Sequence, residues 1–204
     1  MSDIDSSAAR VAIKTQILVI GAAQAGLSAA YHLRQRGLEA GRGFIVLDRA
    51  PRAGGAWQYR WPSLTLSTVN RIHDLPGLPF SEANDTSASE VQAAVAVPAY
   101  FEAYEQAFAL NVFRPVTVSV VCERGGRFRV ETDRWDFSAA GIINATGTWE
   151  NPYVPDIPGR DRFEGRQLHT RDYRTAGEFA GQHVVIVGGG ISAIQLLNEI
   201  SAVA

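Results

Sequence analysis

The sequence predicts an α/β fold built on a parallel sheet, because a strand, a glycine turn and a helix follow one another twice along the chain. The 204 residues are 46% hydrophobic and 20% charged, which is typical of a globular protein with a substantial core. The net charge is -2 and no run of Lys or Arg is present, so neither nucleic acid nor an anionic membrane is an expected partner. Small molecules are the expected ligands.

The first copy is a complete βαβ unit. A short β-branched run, Gln16 to Ile20, is typical of a strand buried on both faces. Residues Ala25 to Arg36 favour a helix that ends before Gly37, and Phe44 to Leu47 form the next apolar run. The polar residues 1–14 are expected to be a disordered leader, so the first domain is predicted to span 15–150.

The turn between this strand and helix, Gly21 to Gly26, follows the pattern G-x-G-x-x-G except for Ala23 at the middle position. Such a turn presents helix N–H groups to a pyrophosphate. Asp48 ends the next strand 27 positions after Gly21, where a carboxylate binds ribose hydroxyls and disfavours a 2′-phosphate. We therefore predict a site for the ADP half of FAD or NAD, formed by Gly21, Ala23, Gln24, Gly26 and Asp48. The alternatives are a turn that serves packing alone and a solvated strand-end acid.

Residues 49–79 are rich in Pro, Gly and Trp and are expected to be irregular. An aromatic stripe predicts a core-facing helix at Val97 to Leu110, with Pro98 in its first turn. Strands at Val116 to Cys122, Phe128 to Thr132 and Gly141 to Asn144 predict a small antiparallel excursion that returns to the sheet.

Cys122, the only cysteine, is interpreted as a buried hydrophobe and suits a reducing compartment such as the cytoplasm. Val118 is counted among the expected cofactor contacts.

A proline-rich stretch beginning at Trp149 indicates a boundary, and residues 151–204 are predicted to hold a linker and part of a second domain. His183 to Val187 is predicted to be a strand that enters the turn Gly188-Gly189-Gly190, followed by a helix at Ser192 to Ile200. Two dinucleotide turns on one chain predict a redox enzyme in which a nicotinamide reduces a flavin.

The segment Phe163 to Tyr173 fits F-x-G-x-x-x-H-x-x-x-Y and resembles the fingerprint of the flavin-containing monooxygenases, whose Baeyer–Villiger relatives carry Trp at the position of Tyr173. Two other segments resemble that family, namely the flavin-contacting loop, Asp48-Arg49 with Gly54-Gly55-Ala56-Trp57, and the A-T-G segment, Ala145-Thr146-Gly147. The resemblance implies further FAD contacts from Arg49, Gly55, Trp57, Ala145, Thr146 and Gly147. It also implies that Gly188, Gly190, Ser192 and Ala193 bind NADPH, with NADH as the alternative.

In this family NADPH reduces FAD, O2 adds at flavin C4a, and the hydroperoxide passes one oxygen to a nucleophilic N or S of a small molecule. The resemblance therefore implies a monooxygenase of this kind, apparently truncated within its second domain. It implies no protein nucleophile and no metal, and it offers only Asn70 as a candidate polar group near the flavin. His169 and Tyr173 are expected in the linker. Another NAD(P)H-dependent flavin reductase or dehydrogenase and an inactive nucleotide-binding fragment remain as alternatives.

Overall fold

The computed structural model of the chain describes residues 12–83 and 90–204. The strands are β1 (Ile13–Ile20), β2 (Phe44–Leu47), β3 (Val112–Phe113), β4 (Val118–Arg124), β5 (Arg127–Thr132) and β6 (Asp136–Asn144). The α-helices are α1 (Gln24–Gln35), α2 (Phe80–Ala83), α3 (Ala93–Ala107) and α4 (Ile191–Ile200). Short 3-10 turns occupy Gly55–Tyr59, Arg160–Arg162, Thr170–Asp172 and Ala176–Phe179.

The six strands form one sheet in the order β3-β2-β1-β6-β5-β4. The strands β3, β2, β1 and β6 are parallel, whereas β4, β5 and β6 pair antiparallel. The α/β class and the antiparallel excursion that returns to the sheet are thereby confirmed. The chain crosses from β1 to β2 on one side and reaches β6 on the other, so the strand order changes direction at β1. In open α/β sheets the ligand crevice lies at such a point.

The main core fills the space between the sheet and two helices, α1 and α3. Leu27 and Ala30 of α1 are fully buried, as are Tyr100 and Tyr104 of the predicted aromatic stripe on α3. The Tyr100 hydroxyl accepts a hydrogen bond from the Leu75 N–H at 2.6 Å, which ties the irregular segment before α2 to the helix. Burial of each large apolar side chain contributes about 1.5–3 kcal/mol, so this stripe is a structural core.

Several boundaries differ from the sequence prediction; β6, for example, begins at Asp136 rather than Gly141, and β4 ends at Arg124 rather than Cys122. Strand β1 begins at Ile13, so the predicted leader is too long by at least two residues, and residues 1–11 lie outside the described part of the chain. Helix α3 begins at Ala93 rather than Val97, which places the buried Pro98 in its second turn. A Cβ added to Gly54 would lie 2.7 Å from Cβ of Pro98, so this proline packs directly on the loop before Trp57. The packing of Pro98 against this loop therefore favours a proline at a position where helix propensity disfavours one.

Two further expectations are wrong. Cys122 is exposed, because β4 is the edge strand of the sheet and most of its side chains face solvent. His183 to Val187 forms no strand in the described chain, and Val185 and Val187 remain 85% and 75% exposed. A strand needs a neighbour to satisfy its backbone groups, and no described strand lies beside this segment. The division of the chain at residue 150 stays a prediction.

Candidate functional site

Three predicted site residues lie side by side at the carboxyl edge of the sheet. The register pairs Ile20 with both Leu47 and Asn144, so β1, β2 and β6 end at the same level. The next residues are Gly21, Asp48 and Ala145, and the Gly21 N–H donates to the Leu47 carbonyl at 2.7 Å. This edge, at the point where the strand order changes direction, holds the predicted dinucleotide turn.

The glycines of this turn are required by close backbone packing. Gly21 has φ +103°, and a Cβ there would lie 2.3 Å from the carbonyl oxygen of Ala145. A Cβ on Gly26 would lie 1.8 Å from the carbonyl oxygen of Gly21, so α1 could not begin as close to β1. Both positions therefore exclude a side chain, and the turn holds the N-terminus of α1 against two strand ends.

Ala23 is compatible with this turn. It is the N-cap of α1 with φ -98°, a conformation that does not require glycine. Its methyl group lies against the neighbouring loop, because a Cβ on Gly55 would be only 2.6 Å from Cβ of Ala23. Because Gly55 has no side chain, the Ala23 methyl group fits against it without a steric clash.

The first turn of α1 contributes no negative charge of its own. Ala23 makes no side-chain capping hydrogen bond, and the first turn, where the exposed Gln24 lies, contains no acidic residue. The N–H groups of a first helical turn lack intrahelical partners, so they and the helix dipole favour an anion here.

Asp48 is only 8% exposed, so it is not a solvated strand-end acid. Its Oδ2 accepts the Ala22 N–H at 2.8 Å and its Oδ1 accepts the Ala50 N–H at 2.7 Å. The carboxylate therefore fixes the glycine turn to the end of β2. Each carboxylate oxygen retains a second lone pair, and contact with a ribose through these remains a prediction.

An ion pair that the sequence analysis did not predict lies beside the Asp48 carboxylate. Arg114 donates two hydrogen bonds to Glu105, at 2.5 and 2.7 Å, and its Nη2 lies 4.0 Å from Oδ2 of Asp48. Burial raises the pKa of the Glu105 carboxyl, although the Arg114 guanidinium acts in the opposite direction. Burial alone would lower the pKa of Arg114, but the hydrogen bonds to Glu105 and the charges of Glu105 and Asp48 raise it. No local sequence motif predicts this ion pair, because Glu105 lies on α3 and Arg114 lies in the loop after β3.

The segments matched to the family's flavin loops are joined through Glu150. Its carboxylate contacts Arg49 at 2.6 Å and Arg171 at 3.3 Å. Arg171 lies within the F-x-G-x-x-x-H-x-x-x-Y segment and also donates to the Trp149 carbonyl at 3.2 Å. Thr146, just before, donates from its hydroxyl and its N–H to Oδ1 of Asn144. The structure therefore brings the two segments matched to the flavin loops close to the F-x-G-x-x-x-H-x-x-x-Y segment, which the sequence placed in the linker.

Two residues predicted to contact the cofactor, Val118 and Asn70, make no described contact with the glycine turn. The Val118 side chain packs with the cluster of Leu18, Ile45 and Phe137. Asn70 is exposed, and no hydrogen bond in the described chain joins its side chain to the turn. Their proposed contacts with a cofactor stay predictions.

The second glycine turn is open. A Cβ on Gly188, Gly189 or Gly190 would meet nothing within 4 Å, and Gly190 is the N-cap of α4. Ser192 and Ala193 lie half-buried in the first turn of that helix. The room for a phosphate is present, whereas the strand expected before it is not formed.

Tyr173 holds α4 in place. It is 4% exposed, packs edge-on against Trp61 at 5.8 Å between ring centroids, and donates its hydroxyl proton to Glu199 at 2.8 Å. Burial and the Glu199 acceptor raise the pKa of this phenol. His169 accepts the Arg171 N–H through Nδ1 at 3.2 Å and begins the turn Thr170–Asp172. Both residues therefore order the chain between Trp149 and α4, and the assignment of this segment to a linker stays a prediction.

No metal site or membrane span is evident in the part of the chain that the structure describes. Residues 12–83 and 90–204 contain no group of three or more His, Cys, Asp or Glu side chains that could hold a metal ion. None of the described helices is long and apolar enough to cross a membrane.

Comparison with known proteins shows the family of the chain. The family model described as pyridine nucleotide-disulphide oxidoreductase matches residues 18–202. The chain is 30% identical to the uncharacterized oxidoreductase CzcO of Bacillus subtilis (strain 168), covering 90% of this chain and 51% of that protein. It is also 30% identical to a Baeyer-Villiger monooxygenase of Streptomyces coelicolor, covering 91% of this chain and 35% of that protein.

A solved structure of a flavin-containing monooxygenase has a similar fold. The flavin-containing monooxygenase from Stenotrophomonas maltophilia superimposes with a TM-score of 0.82 at 39% identity, covering 94% of this chain and 56% of that one. The chain thus spans about half the length of the relatives it matches, or less.

Proposed function

Because the chain belongs to the pyridine nucleotide-disulphide oxidoreductase family, we propose that it carries the FAD-binding part and the beginning of the NADPH-binding part of a flavin-dependent monooxygenase. The proposed reaction passes one oxygen atom of O2 to a nucleophilic N or S of a small molecule. The observation that carries the proposal is the turn Gly21 to Gly26, held between Asp48 and Ala145 at three level strand ends.

The residues present fit the ADP half of FAD. Gly21 and Gly26 let α1 begin in close contact with the ends of β1 and β6, and α1 offers an N-terminus without a side-chain cap to the pyrophosphate. The buried Asp48 carboxylate lies one strand away, where a ribose would be expected. Arg49, Gly55, Trp57 and the segment Ala145 to Gly147 would contact the remainder of the cofactor.

A bound flavin would supply the redox chemistry and the activation of O2. The work of the protein is then to bind, orient and exclude water. Asp48 fixes the turn, and Glu150 joins the surrounding loops through Arg49 and Arg171. Tyr173 positions α4, which follows Gly188 and Gly190 and carries Ser192 and Ala193 in its first turn. We propose that this second turn binds NADPH, with NADH as the alternative.

Tyr173 supports the heteroatom-oxygenating branch, because the Baeyer–Villiger relatives carry Trp at that position. The single cysteine excludes a dithiol within these 204 residues, so a disulphide reductase that needs a pair of thiols on this chain is not favoured. A flavin reductase or dehydrogenase remains the second candidate, since the same two turns would serve it. The third is an inactive nucleotide-binding fragment.

The test is direct. The purified chain is mixed with FAD and assayed for a bound flavin spectrum, then reduced anaerobically with NADPH and exposed to O2 with amine and thioether substrates. Oxygenated product supports a monooxygenase, whereas flavin reduction without any product supports the reductase. A chain that binds no FAD at millimolar concentration contradicts both enzyme functions for this chain.

A matched pair of variants links the result to the site. Asp48→Asn should weaken FAD binding by about tenfold or more, because the N–H groups of Ala22 and Ala50 both lose a charged acceptor and one of them faces an NH2 donor instead. Asp133→Asn is the control, since Asp133 also accepts a backbone N–H, from Thr117, but lies on the antiparallel hairpin. Equal FAD affinities for the two variants would argue against the proposed site.

A further inference from the structure

A half-buried cation that has no anionic partner among the described residues lies in the loops of the proposed cofactor site. The Arg60 guanidinium lies 5.6 Å from the ring centroid of Trp57 and 5.0 Å from that of Trp149. Tyr59 stacks on the same Trp149, with ring centroids 6.3 Å apart and planes inclined by 13°. We refer to Trp57, Tyr59, Arg60 and Trp149 as the Arg60 cluster.

This cation is not neutralised by the protein. Its Nε is buried without a hydrogen-bond partner, and no ion pair or side-chain hydrogen bond reaches Arg60 from residues 12–83 or 90–204. Burial lowers the pKa of the guanidinium, as expected where no carboxylate compensates the loss of water. The two indole faces offset only part of that cost, because a cation–π contact is weaker than an ion pair with a buried carboxylate.

The other arginines near the site are paired. Arg114 binds Glu105, and Arg49 and Arg171 both bind Glu150. Among these four, only Arg60 has no described carboxylate partner, so its Nη1 and Nη2 groups remain available to a ligand. A planar guanidinium with free N–H groups forms strong bidentate hydrogen bonds with phosphate oxygens.

The position of the cluster indicates the ligand. Trp57 belongs to the 3-10 turn that begins at Gly55, which packs against Ala23 of the glycine turn. Trp149 follows Ala145-Thr146-Gly147, and its carbonyl binds Arg171 of the linker. Arg60 therefore lies where the loops of the first dinucleotide turn meet the linker to the second.

We propose that Arg60 is a phosphate-binding residue that pairs with the diphosphate of a dinucleotide, and that the two tryptophans hold its guanidinium in place until the ligand binds. The inference rests on the proposed function for the identity of the dinucleotide. The diphosphate of either FAD or NADPH supplies the same chemistry, and the experiment distinguishes the two sources.

The first measurement requires no cofactor. Inorganic pyrophosphate is titrated into the purified chain while tryptophan emission is followed, because two of the four tryptophans lie against the Arg60 guanidinium. We expect a saturable change in emission that is lost in Arg60→Met and retained, at reduced affinity, in Arg60→Lys. An identical titration of the wild type and Arg60→Met would overturn the proposal.

The second measurement identifies the source of the diphosphate. FAD and NADPH are titrated separately into the wild type, Arg60→Met and Arg60→Lys. Loss of a charge-assisted hydrogen bond should weaken one of the two ligands by about tenfold or more in Arg60→Met, with Lys recovering part of the loss. That ligand is the one whose diphosphate Arg60 binds, and unchanged affinity for both ligands would refute the proposal.

The controls separate this inference from folding and from the proposed function. Arg134→Met removes an exposed arginine 6.0 Å from the Trp135 ring centroid and should change neither titration. Arg60→Gln replaces Arg60→Met if the latter does not fold, because Gln keeps a polar side chain without the charge. An Arg60-dependent response to pyrophosphate in a chain that binds no FAD would support this inference and contradict the proposed function.

Discussion

Gly26→Ala tests the closest packing contact in the dinucleotide turn. The added Cβ would lie 1.8 Å from the carbonyl oxygen and 2.9 Å from the carbonyl carbon of Gly21. Real Cβ atoms do not approach other atoms closer than 3.0 Å, so α1 and the end of β1 must separate by about 1.2 Å at the first contact. The colliding atoms are backbone atoms, so no side-chain rotation relieves the contact.

Overpacking of this kind costs about 1–3 kcal/mol, and we expect the upper end because Gly26 lies between a fully buried helix face and the central strand. For a chain of this length, about 3 kcal/mol corresponds to a decrease in Tm of roughly 6–12 °C. Thermal unfolding followed by far-UV circular dichroism measures the effect. FAD affinity should fall as well, since the displaced helix N-terminus no longer faces the pyrophosphate.

Gly189→Ala is the matched control. It lies in the second glycine turn, where a Cβ meets nothing within 4 Å, so its Tm should match that of the wild type. A Gly26→Ala variant with the Tm and FAD affinity of the wild type would refute the packing argument. So would equal destabilisation of the two variants.

Two further substitutions test the supports of the site. Arg114→Met should destabilise the chain by about 3 kcal/mol or more, because it leaves Glu105 and Asp48 as buried unpaired carboxylates. Arg114 lowers the pKa of Glu105 against the effect of burial, so its removal should raise that pKa further in the folded state. Ionised Glu105 then destabilises the variant most at high pH, and the loss measured by urea unfolding should be larger at pH 8 than at pH 5. A pH-independent loss would contradict this account. Tyr173→Phe should cost about 1–2 kcal/mol and speed amide exchange in α4, since the Glu199 carboxylate loses a buried donor. Tyr153→Phe, at an 83% exposed position, is its control, and similar exchange in both variants would count against a positioning role for Tyr173.

Local sequence signals determined the first βαβ unit. A β-branched run, two obligate glycines and a strand-ending acid are short-range patterns, and each fixes a conformation through its own residues. Strand β2 has the predicted bounds, and Gly21, Gly26 and Asp48 occupy the predicted turn. The F-x-G-x-x-x-H-x-x-x-Y segment also revealed the family, although the packing of its tyrosine on Trp61 was not predictable from spacing.

Only the tertiary structure decided which groups compensate one another. Arg114 contacts Glu105 and Asp48, and Glu150 contacts Arg49 and Arg171. Arg60 contacts two tryptophans and no acidic residue of the described chain. Most of these partners are far apart in sequence, and charge pairing leaves no periodic pattern by which to find them. The same reason explains the errors at Cys122 and at His183 to Val187, since burial of a strand depends on its neighbours in the sheet. The sequence by itself therefore determined the glycine turn and its acid, whereas the fold decided how Ala23 is accommodated against Gly55 and which arginine remains free for a phosphate.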